Sequence, residues 1–435
     1  MNVFKILWRF AAQRRNPSIF GIFQELKDSE TMSLEKLQNH QFEKAKEILI
    51  FSYTYSKFYN EIFAKNNFDP NINFNSIADF NRIPIISKRD LLLFNETIHT
   101  NCFFKKIFSS ETSGSTGQVL KFHKDEYWDS FNRASIMRGY SWHGVNIWET
   151  NGYFWGYNIA NGQRWKIRVQ DAFQNRFRLF SYDKANIHVF IKKLNKATYL
   201  SGYSSMIYEV AKIINNSEMD TSSLNLKMVK GTSEKIFDSY HNQVYKAFGK
   251  KIISEYGAAE SGIIAFECPE GNMHINMEGV YVEEENGEII VTNLVARSFP
   301  IIRYKLGDYI KLKPVSFACP CGLAHPVIES IQGRVGKLVY GKERTYPSLT
   351  FYYIFKNLAI HYSLELNYQA IQFEKGKLQV NIEQLMSTKE KAALEKEMKK
   401  YFDTDIDYDI WDNKKLHTFE GKLMDFISKI DFQDE

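Results

Sequence analysis

The sequence has few cysteines, few prolines and little net charge. Its 435 residues include four cysteines and nine prolines, and the formal net charge is +5. Four cysteines in so long a chain exclude a disulfide scaffold and indicate a reducing, cytoplasmic environment. The small net charge argues against a partner nucleic acid. We expect no transmembrane segment, because no apolar run reaches the ~18 residues that a membrane-spanning helix needs.

The first residues, MNVFKILWRFAAQRRN, are basic and amphipathic. They lack the apolar core and the small-residue cleavage site of a secretory signal. Two interpretations stay open for them: weak peripheral contact with a membrane surface, or an ordinary first helix of the fold. The sequence leaves the oligomeric state open.

Residue patterns predict alternating helices and strands through most of the chain. Apolar positions at three- and four-residue spacing predict a helix over residues 33–67, with Ser33 as its N-cap. DEYWDSFNRASIMRGYSWHG reads as a helix that ends near Gly144. Next come three strand signals, KATYLSGY, LKMVKG and KKIISEYG. The first two precede helices, the second of which we expect to be capped by Thr232 or Ser233.

The pattern changes twice in the second half of the chain. GVYVEEENGEIIVTNL reads as a hairpin turning at ENG, and PIIRYKLGDYIKLK as a further strand. After IQGRVGK come a second hairpin, AIQFEKGKLQVNIEQ, and an exposed helix, TKEKAALEKEMKKYF.

These patterns predict an α/β fold with two domains. We expect a large N-terminal domain, residues 1–333, with mixed or parallel sheets, helices and a small antiparallel unit at about residues 266–325. A small, mobile α+β domain follows, residues 334–435.

The stretch SSETSGSTGQVLKF is built almost entirely of small and polar residues. Ser113, Gly114, Ser115, Thr116 and Gly117 offer hydroxyl groups and backbone N–H groups with little steric bulk, as phosphate-binding nests do. A flexible linker has the same composition. The P-loop motif is excluded, because there a lysine follows the second glycine directly.

Four further short motifs contain residue types found in nucleotide sites. YGAAESG places Glu260 in a turn after a strand, where a carboxylate can hold Mg²⁺. RYKLGD places Asp308 in another turn, where it can accept hydrogen bonds from a ribose diol. GR ends at Arg334, and FEGKLMDFISKI has Lys422 after a glycine. Each motif alone is more typical of a solvated surface.

Together and in this order, the motifs resemble the signatures of the adenylate-forming superfamily of acyl-CoA synthetases, adenylation domains and luciferases. The chain is most similar to the phenylacetate–CoA ligase branch and, within it, to the CapK-like proteins of polysaccharide gene clusters. The segments that read like this branch are FSYTYSKFYNEIF, IADFNRIPIISKRDL, LSGYSSMIYEVA, VKGTSEKI and ARSFPIIRYKLGDYIKL. The resemblance covers about residues 30 to 430.

The resemblance implies a two-step reaction. A carboxylic acid attacks the α-phosphate of ATP to give an acyl-adenylate and pyrophosphate, and an acceptor (CoA thiol, amine or hydroxyl) then takes the acyl group. Thr116 and its neighbours would hold the β- and γ-phosphates, Glu260 would hold Mg²⁺, and Lys422 would bridge the attacking carboxylate and the α-phosphate. Asp308 would hold the ribose hydroxyls, with Arg334 nearby. The other nucleotide-binding residues implied are Gly231, Ser233, Glu234, Tyr256, Gly257 and Ala258.

The chain departs from the family pattern at two places. Gly336 and Lys337 lie where the family has the hinge of its mobile C-terminal domain, commonly an acidic pair. After Gly117 the family often has Pro-Lys, whereas this chain has QVLK, which displaces Lys121 from that role.

Three cysteines and a histidine suggest a structural zinc site. CPEGNMH contains Cys268 and His274, and CPCG contains Cys319 and Cys321. Three thiolates and an imidazole suit tetrahedral Zn²⁺, and four protein ligands would close the site. The alternative is three buried thiols and a core histidine. His325 is a spare candidate ligand.

The segment between residues 152 and 183 combines arginines with aromatic residues. In the phenylacetate–CoA ligase branch this region borders the acyl pocket. Its basic residues, Arg164, Lys166, Arg168, Arg176 and Arg178, fit either an anionic or sugar-bearing substrate or a solvated surface.

Three functions follow from these observations. The first is an adenylate-forming ligase of polysaccharide assembly that passes an amino acid or sugar acid to an amine or hydroxyl. The second is an aryl- or acyl-acid–CoA ligase. The third is a ligase-like scaffold that binds nucleotide without catalysis.

Overall fold

The computed structural model describes most of the chain. The described residues are 3–112, 120–154, 161–179, 184–217, 219–232, 234, 236–334, 338–343, 345–416, 418–419 and 422–430.

Helices dominate the N-terminal third of the chain and then alternate with strands. In the described ranges the α-helices are α1 (Val3–Arg15), α2 (Ile19–Ser29), α3 (Leu34–Tyr55), α4 (Lys57–Lys65), α5 (Pro70–Asn73), α6 (Lys88–Leu93), α7 (Asn95–Ile98), α8 (Glu126–Trp142), α9 (Asn161–Phe173), α10 (Lys184–Leu194), α11 (Ser204–Asn215), α12 (Asp238–Phe248), α13 (Leu349–Tyr362) and α14 (Thr388–Phe402), with a 3-10 helix at Ile77–Arg82.

The strands begin after the helical region. As far as the structure describes them they are β1 (Ile107–Glu111), β2 (Lys121–Asp125), β3 (Asn151–Phe154), β4 (Arg176–Leu179), β5 (Tyr199–Tyr203), β6 (Met228–Thr232), β7 (Ile252–Ala258), β8 (Gly262–Glu267), β9 (Met273–Ile275), β10 (Val280–Glu285), β11 (Glu288–Asn293), β12 (Tyr304–Leu312), β13 (Val327–Arg334), β14 (Leu338–Tyr340), β15 (Thr345–Pro347), β16 (Tyr368–Glu374), β17 (Lys377–Ile382), β18 (Asp407–Trp411), β19 (Thr418–Phe419), β20 (Lys422–Leu423) and β21 (Phe426–Ser428).

The helix expected over residues 33–67 is two helices that meet at Ser56. Ser33 caps α3 as predicted, because its hydroxyl accepts a hydrogen bond from the backbone N–H of Lys36 at 3.4 Å. Ser56 is extended, with φ −106° and ψ 120°, and its hydroxyl caps α4 by accepting from Tyr59 N–H. A capping serine therefore ends one helix and starts the next, although the apolar period continues across it.

Eleven of the described strands form one sheet, in the order β10-β11-β12-β13-β9-β8-β7-β6-β5-β3-β4. At one end of this order, the neighbours among β4, β3, β5, β6 and β7 pair in parallel. From β7 to β10, at the other end, the pairing is antiparallel. The predicted fold class is confirmed. The antiparallel strands continue the parallel sheet through β7 rather than forming a unit of their own, because β7 accepts a parallel partner on one edge and an antiparallel partner on the other.

Two local predictions are confirmed and two are wrong. The hairpin between β10 and β11 turns at Asn286 and Gly287, both with positive φ, as expected. Helix α8 ends just before Gly144, as expected. In contrast, Asp308 lies inside β12 and not in a turn, because Gly307, with φ +86°, continues the strand through an irregularity in its register with β11. Helix α12 begins at Asp238, so Thr232 lies in β6 and caps nothing.

The last part of the chain contains a four-stranded sheet, in the order β18-β17-β16-β21, among the residues that are described. Helices α13 and α14 contribute to its apolar cluster, which also includes side chains of α11 and α12. An ion pair between Lys212 Nζ and Glu383 Oε1, 2.5 Å long, joins α11 to the residue after β17. Helix α14 is half-buried and not simply exposed, since Leu394, Met398 and Phe402 lie in the core. The predicted domain boundary near residue 334 stays a prediction.

Helix α1 shows one face to solvent and packs the other. Trp8 packs against Phe20 and Trp148 at ring-centroid distances of 6.0 and 5.4 Å. Ile6 and Phe10 are exposed. In the part of the chain that the structure describes, no helix is both long enough and apolar enough to cross a membrane.

Candidate active site

Tyr256 and Asp308 meet across the large sheet. The Tyr256 hydroxyl donates to Asp308 Oδ2 at 2.8 Å. Their strands, β7 and β12, are not neighbours in the sheet, which must therefore curl to bring the two side chains together. Asp308 is buried, with 9% of its surface exposed, so its carboxylate oxygens are hydrogen-bond acceptors sheltered from bulk water.

Glu260 lies in the turn that joins β7 to β8, as predicted. Its side chain is 5% exposed and accepts a hydrogen bond from the Tyr304 hydroxyl at 3.1 Å. Tyr304 opens β12, the strand that also carries Asp308. Tyr304 was not predicted as a site residue, although it stands in the same RYKLGD motif as Asp308. The two hydrogen bonds therefore connect the same two chain segments. One runs from Tyr256 in β7 to Asp308 in β12, and the other from Tyr304 in β12 to Glu260 in the β7–β8 turn.

The backbone of the Glu260 turn requires glycine at position 257. A Cβ atom at Gly257 would lie 2.3 Å from the carbonyl oxygen of Gly262, which is a backbone atom in the facing strand. Real Cβ atoms do not come so close, so any larger residue must move the hairpin. The β7–β8 hairpin therefore requires the first glycine of the YGAAESG motif. The same hairpin positions Glu260 in its turn.

The base of the Ser/Thr/Gly loop is closed by a pair of residues on either side of it. Thr112 N–H donates to the Leu120 carbonyl at 3.0 Å, and Leu120 N–H donates to the Thr112 hydroxyl at 3.0 Å. Lys88 Nζ, at the start of α6, donates to the same hydroxyl at 3.1 Å. Lys88 is a cation at the loop that sequence reasoning missed, since it stands 24 residues before Thr112.

Lys124, three residues after Lys121, is the more buried of the two lysines that follow the Ser/Thr/Gly loop. Lys121 is exposed, whereas Lys124 is half-buried, with Nζ 5.2 Å from the Trp128 ring centroid. Burial lowers the pKa of Lys124, and the negative charges of Asp129 and Glu260 oppose that shift. The departure from the Pro-Lys pattern is therefore accompanied by a second, more buried lysine three residues further along the chain.

Several predicted residues are only partly described. Gly231 is buried near the end of β6. Glu234, two residues after that strand, is half-buried. The Arg334 backbone pairs with Asp308 across β12 and β13, and the Lys422 backbone pairs with Phe419. The following lie outside the described residues: Ser113, Gly114, Ser115, Thr116, Gly117, Ser233, Gly336, Lys337 and the side chains of Arg334 and Lys422.

Three cysteines and a histidine come together as predicted. The ligand atoms of Cys268, His274, Cys319 and Cys321 all lie within 4.8 Å of one another. The Sγ atoms of Cys268 and Cys319 are 3.8 Å apart, and Cys321 Sγ is 3.2 Å from His274 Nε2. Zn–S bonds of about 2.3 Å in a tetrahedron separate two sulfurs by about 3.8 Å, so the geometry fits a zinc ion.

The neighbours of this cluster orient its histidine. His274 Nδ1 is 2.9 Å from the carbonyl oxygen of His325, so that Nδ1 carries the proton and Nε2 is left to face the sulfurs. Burial lowers the pKa of His274 to about 4, which keeps the ring neutral at pH 7. The spare candidate His325 does not turn its side chain to the cluster: its Nε2 bonds Glu278 Oε1 at 2.8 Å.

Two of the basic residues between positions 152 and 183 are partly buried on β4. Arg178 makes two hydrogen bonds of 2.9 Å to the carboxylate of Asp171, and 12% of its side chain is exposed. Arg176 Nε donates to Asn151 Oδ1 at 3.1 Å. The interpretation of this region as a solvated face is therefore wrong for these two arginines. The side chains of Arg164 and Lys166 lie outside the described residues.

The chain is similar to known proteins in sequence and in fold. The chain is 27% identical to protein CapK of Staphylococcus aureus over 335 residues, which cover 71% of this chain and 70% of CapK. The structure superimposes on 2-hydroxyisobutyryl-CoA ligase in its postadenylation state, in complex with R3-HIB-AMP, with a TM-score of 0.69 and 15% identity over 92% of this chain and 91% of that chain.

The chain therefore has the fold of this AMP-complexed ligase, and its sequence is similar to that of CapK. The fold that the resemblance implied is confirmed. No protein-family model matches the chain. The same 2-hydroxyisobutyryl-CoA ligase, with 2-HIB-AMP and CoA in the thioesterification state, gives a TM-score of 0.55 at 16% identity over 92% of this chain and 91% of that chain. The structure is thus more similar to the postadenylation form of that ligase than to its thioesterification form.

Proposed function

We propose that the protein is an ATP-dependent, AMP-forming carboxylate ligase. One observation carries the proposal: in an adenylate-forming fold, the chain keeps two buried carboxylates, Glu260 and Asp308, and orients each with a tyrosine hydroxyl. Buried carboxylates are costly unless they bind something or are paired. Besides the tyrosine hydroxyls that bond these carboxylates, we assign a divalent cation to Glu260 and a ribose diol to Asp308.

The reaction has two balanced steps. In the first, a carboxylate oxygen of the acid attacks the α-phosphorus of ATP, the bond to the β-phosphate oxygen breaks, and pyrophosphate leaves. In the second, an acceptor attacks the acyl carbon, and AMP leaves with the oxygen that came from the acid. The residues supply position and positive charge, because two anions must meet.

The residues have distinct roles in this proposal. Asp308, aligned by Tyr256, accepts hydrogen bonds from the ribose hydroxyls. Thr116 and the loop around it bind the β- and γ-phosphates, with Lys88 at the base of the loop. Lys422 neutralises the charge that develops between carboxylate and α-phosphate. Glu260 would hold Mg²⁺, which supplies positive charge to the phosphates when bound.

The acceptor defines two versions of this function. We favour an amine or hydroxyl acceptor in polysaccharide assembly, on the CapK-like pattern of the sequence and the identity to CapK. The alternative is transfer to CoA, which the likeness to a CoA ligase supports. Such ATP-dependent chemistry suits the cytoplasm. Acyl-CoA formation from CoA alone, across a panel of acids, would favour the alternative.

We assign a structural zinc ion to Cys268, His274, Cys319 and Cys321. The support is the donor set, three sulfurs and an imidazole nitrogen whose other nitrogen is already bonded. Four protein ligands leave no open position for catalysis. The ion would connect the β8–β9 loop to the loop between β12 and β13. Asp308 lies in β12, the strand that precedes this second loop.

Acid-dependent exchange between ATP and labelled pyrophosphate tests this function. Lys422→Ala should reduce the exchange rate at least about 100-fold, because it removes a charge that acts at the transition state. ATP binding, measured by calorimetry, should change little. Lys429→Ala is the matched control, since Lys429 lies in the same segment with its Nζ over the Phe373 ring. Normal exchange in Lys422→Ala would remove Lys422 from the site.

A further inference from the structure

Neighbouring parallel strands carry a row of polar side chains on one face of the large sheet. In the register of the strands, Arg178 is opposite Tyr153, Tyr153 is opposite Ser201, and Ser201 is opposite Lys230. Partners in register point to the same face and are about 4.8 Å apart. Lys230 Nζ reaches Glu255 Oε2 on the next strand at 2.9 Å. We call these five residues the polar row.

The polar row is buried where such a sheet is normally apolar. Lys230 is 5% exposed and Ser201 is 3% exposed. Parallel strands covered on both faces usually present Val, Ile and Leu, and a buried ion pair is often less stabilising than an apolar pair of the same size. Packing alone therefore gives no reason for the row, although its charges are internally matched by Lys230 with Glu255 and by Arg178 with Asp171.

The polar row stands where open α/β sheets bind ligands. Tyr153 and Arg178 lie past the middle of their strands, and Ser201, Lys230 and Glu255 are the central residues of theirs. No member therefore lies in the half of its strand away from the carboxyl end, which is the edge at which ligands bind in such sheets. Glu255 directly precedes Tyr256, the partner of Asp308, so the row begins beside the proposed ribose site. At the other end, Arg176 and Arg178 line a cavity of about 430 Å³, within the size range of small-ligand sites.

The chemistry of the polar row matches hydroxyl groups. Lys230 and Arg178 donate hydrogen bonds, Glu255 accepts them, and the hydroxyls of Ser201 and Tyr153 do both. A substrate hydroxyl also donates and accepts, so it can bond any member of the row.

The charge of the row argues against an ammonium group on the substrate. Together with its immediate neighbours the row contains three cations, Arg176, Arg178 and Lys230, against two carboxylates, Asp171 and Glu255. An ammonium group would meet this excess of positive charge.

We propose that the polar row binds the acid, and that the acid is a hydroxylated one of the sugar-acid type rather than an aryl, alkyl or amino acid. This inference rests on the proposed function, because it assigns the substrate of that reaction. It makes Ser201 and Lys230 specificity-determining residues.

Matched acids of equal chain length test the proposal. ATP–pyrophosphate exchange is measured with glycerate, propanoate and alanine, and with gluconate, hexanoate and norleucine. Within each set only the hydroxyl or amino groups differ. The hydroxylated acid of at least one set should be preferred by about 100-fold or more in kcat/KM, because a site built for hydroxyls rejects analogues that lack them. Preference for an unsubstituted or amino acid would overturn the inference and leave the proposed function standing.

Variants of the polar row give a second readout. Ser201→Ala and Lys230→Met should raise the KM for the hydroxylated acid about tenfold and reduce its preference over the plain acid, as expected for the loss of a substrate hydrogen bond. The KM for ATP should not change. Lys227→Met is the control, since Lys227 precedes β6 and bonds the Gly144 carbonyl. Unaltered preference in both folded variants would show that the row is only structural.

If no acid supports exchange, a binding measurement tests whether the polar row recognises a hydroxylated acid. Absence of exchange with every acid would count against the proposed function. The acyl-sulfamoyl adenosines of gluconate and hexanoate need no turnover, and the first should bind at least about tenfold more tightly, by the same hydrogen-bond argument. Equal binding, binding of neither, or tighter binding of the hexanoate analogue would overturn the assignment of the polar row.

Discussion

Arg138 illustrates how single residues support the site. It lies in α8, and its guanidinium donates to Glu278 Oε1 at 2.6 Å and to Asn276 Oδ1 at 2.6 Å. The side chains of Arg138 and Glu278 are 3% and 4% exposed. Glu278 also bonds His325, whose carbonyl orients His274 of the cysteine cluster. A buried charge network therefore connects α8 to the proposed zinc site.

Removing Arg138 should destabilise the protein in a pH-dependent way. Arg138→Met leaves Glu278 buried without its main counter-charge, which costs about 3–5 kcal/mol in comparable buried pairs. Unfolding in urea at pH 7 measures this loss. Arg133→Met, on the same helix, is the control: Arg133 pairs with Asp129 at the surface and should contribute less than about 1 kcal/mol.

The sign of the pH dependence follows from Glu278. Burial would raise its pKa, but Arg138 and His325 hold that pKa well below its ordinary value of 4.5. The stabilisation by this carboxylate is thus present above pH 4.5 and is lost as the pH falls through the folded-state pKa. Without Arg138 the carboxyl can accept a proton, so the stability deficit of the variant should shrink toward pH 4.5. An equal deficit at both pH values would contradict this account.

At the scale of elements, the β7–β8 hairpin determines where Glu260 stands. Gly257→Ala would place a methyl group against the carbonyl oxygen of Gly262 and force the two strands apart. Overpacking of this kind costs about 1–3 kcal/mol. We expect ATP–pyrophosphate exchange to fall more than the stability loss explains, because Glu260 moves with the hairpin. The measurement is exchange at a temperature where the variant is fully folded.

A glycine in open space is the control for this prediction. Gly21, inside α2, has nothing within 4 Å of an added Cβ. Gly21→Ala should therefore stabilise the helix by about 0.5–1 kcal/mol and leave exchange unchanged. Full exchange activity in Gly257→Ala would show that the hairpin tolerates the shift and that its glycine does not position Glu260.

The connections β8–β9 and β12–β13 should depend on zinc. The purified protein should contain about one zinc ion per chain, and a strong chelator should lower its thermal transition, because metal binding contributes folding free energy. Cys319→Ser should lose the metal and the stabilisation together. Cys102→Ser should lose neither, since Cys102 lies far from the cluster in the sequence and is not part of it. Metal-free protein of undiminished stability would rule out the structural ion.

At the scale of the whole molecule, local signals in the sequence predicted elements better than their assembly. The hairpin at Asn286 and Gly287 followed from turn chemistry, and the cap of α3 followed from Ser33, because both depend on a few adjacent residues. The turn position of Glu260 followed from the YGAAESG motif, and the grouping of Cys268, His274, Cys319 and Cys321 followed from their residue types. The family resemblance supplied the order in which these motifs belong together.

The remaining features depend on pairing between distant strands, which a single sequence does not contain. The curl of the sheet that joins Tyr256 to Asp308, 52 residues apart, is one example. The polar row is another, because Ser201 and Lys230 become neighbours only through the register of β5 and β6. Asp308 was expected in a turn because Gly307 suggests one, yet the long-range pairing of β12 with β13 keeps both residues in a strand.

The fate of one oxygen atom tests the central claim most directly. The acid is prepared with ¹⁸O in its carboxylate and incubated with the protein, ATP, Mg²⁺ and hydroxylamine as a general acceptor. If an acyl-adenylate forms, a carboxylate oxygen becomes bonded to the α-phosphorus and leaves with AMP, so mass spectrometry should find AMP that carries one ¹⁸O and pyrophosphate that carries none. Labelled inorganic phosphate together with ADP would mean that the acid attacks the γ-phosphate, and would contradict the assignment of this protein as an AMP-forming ligase.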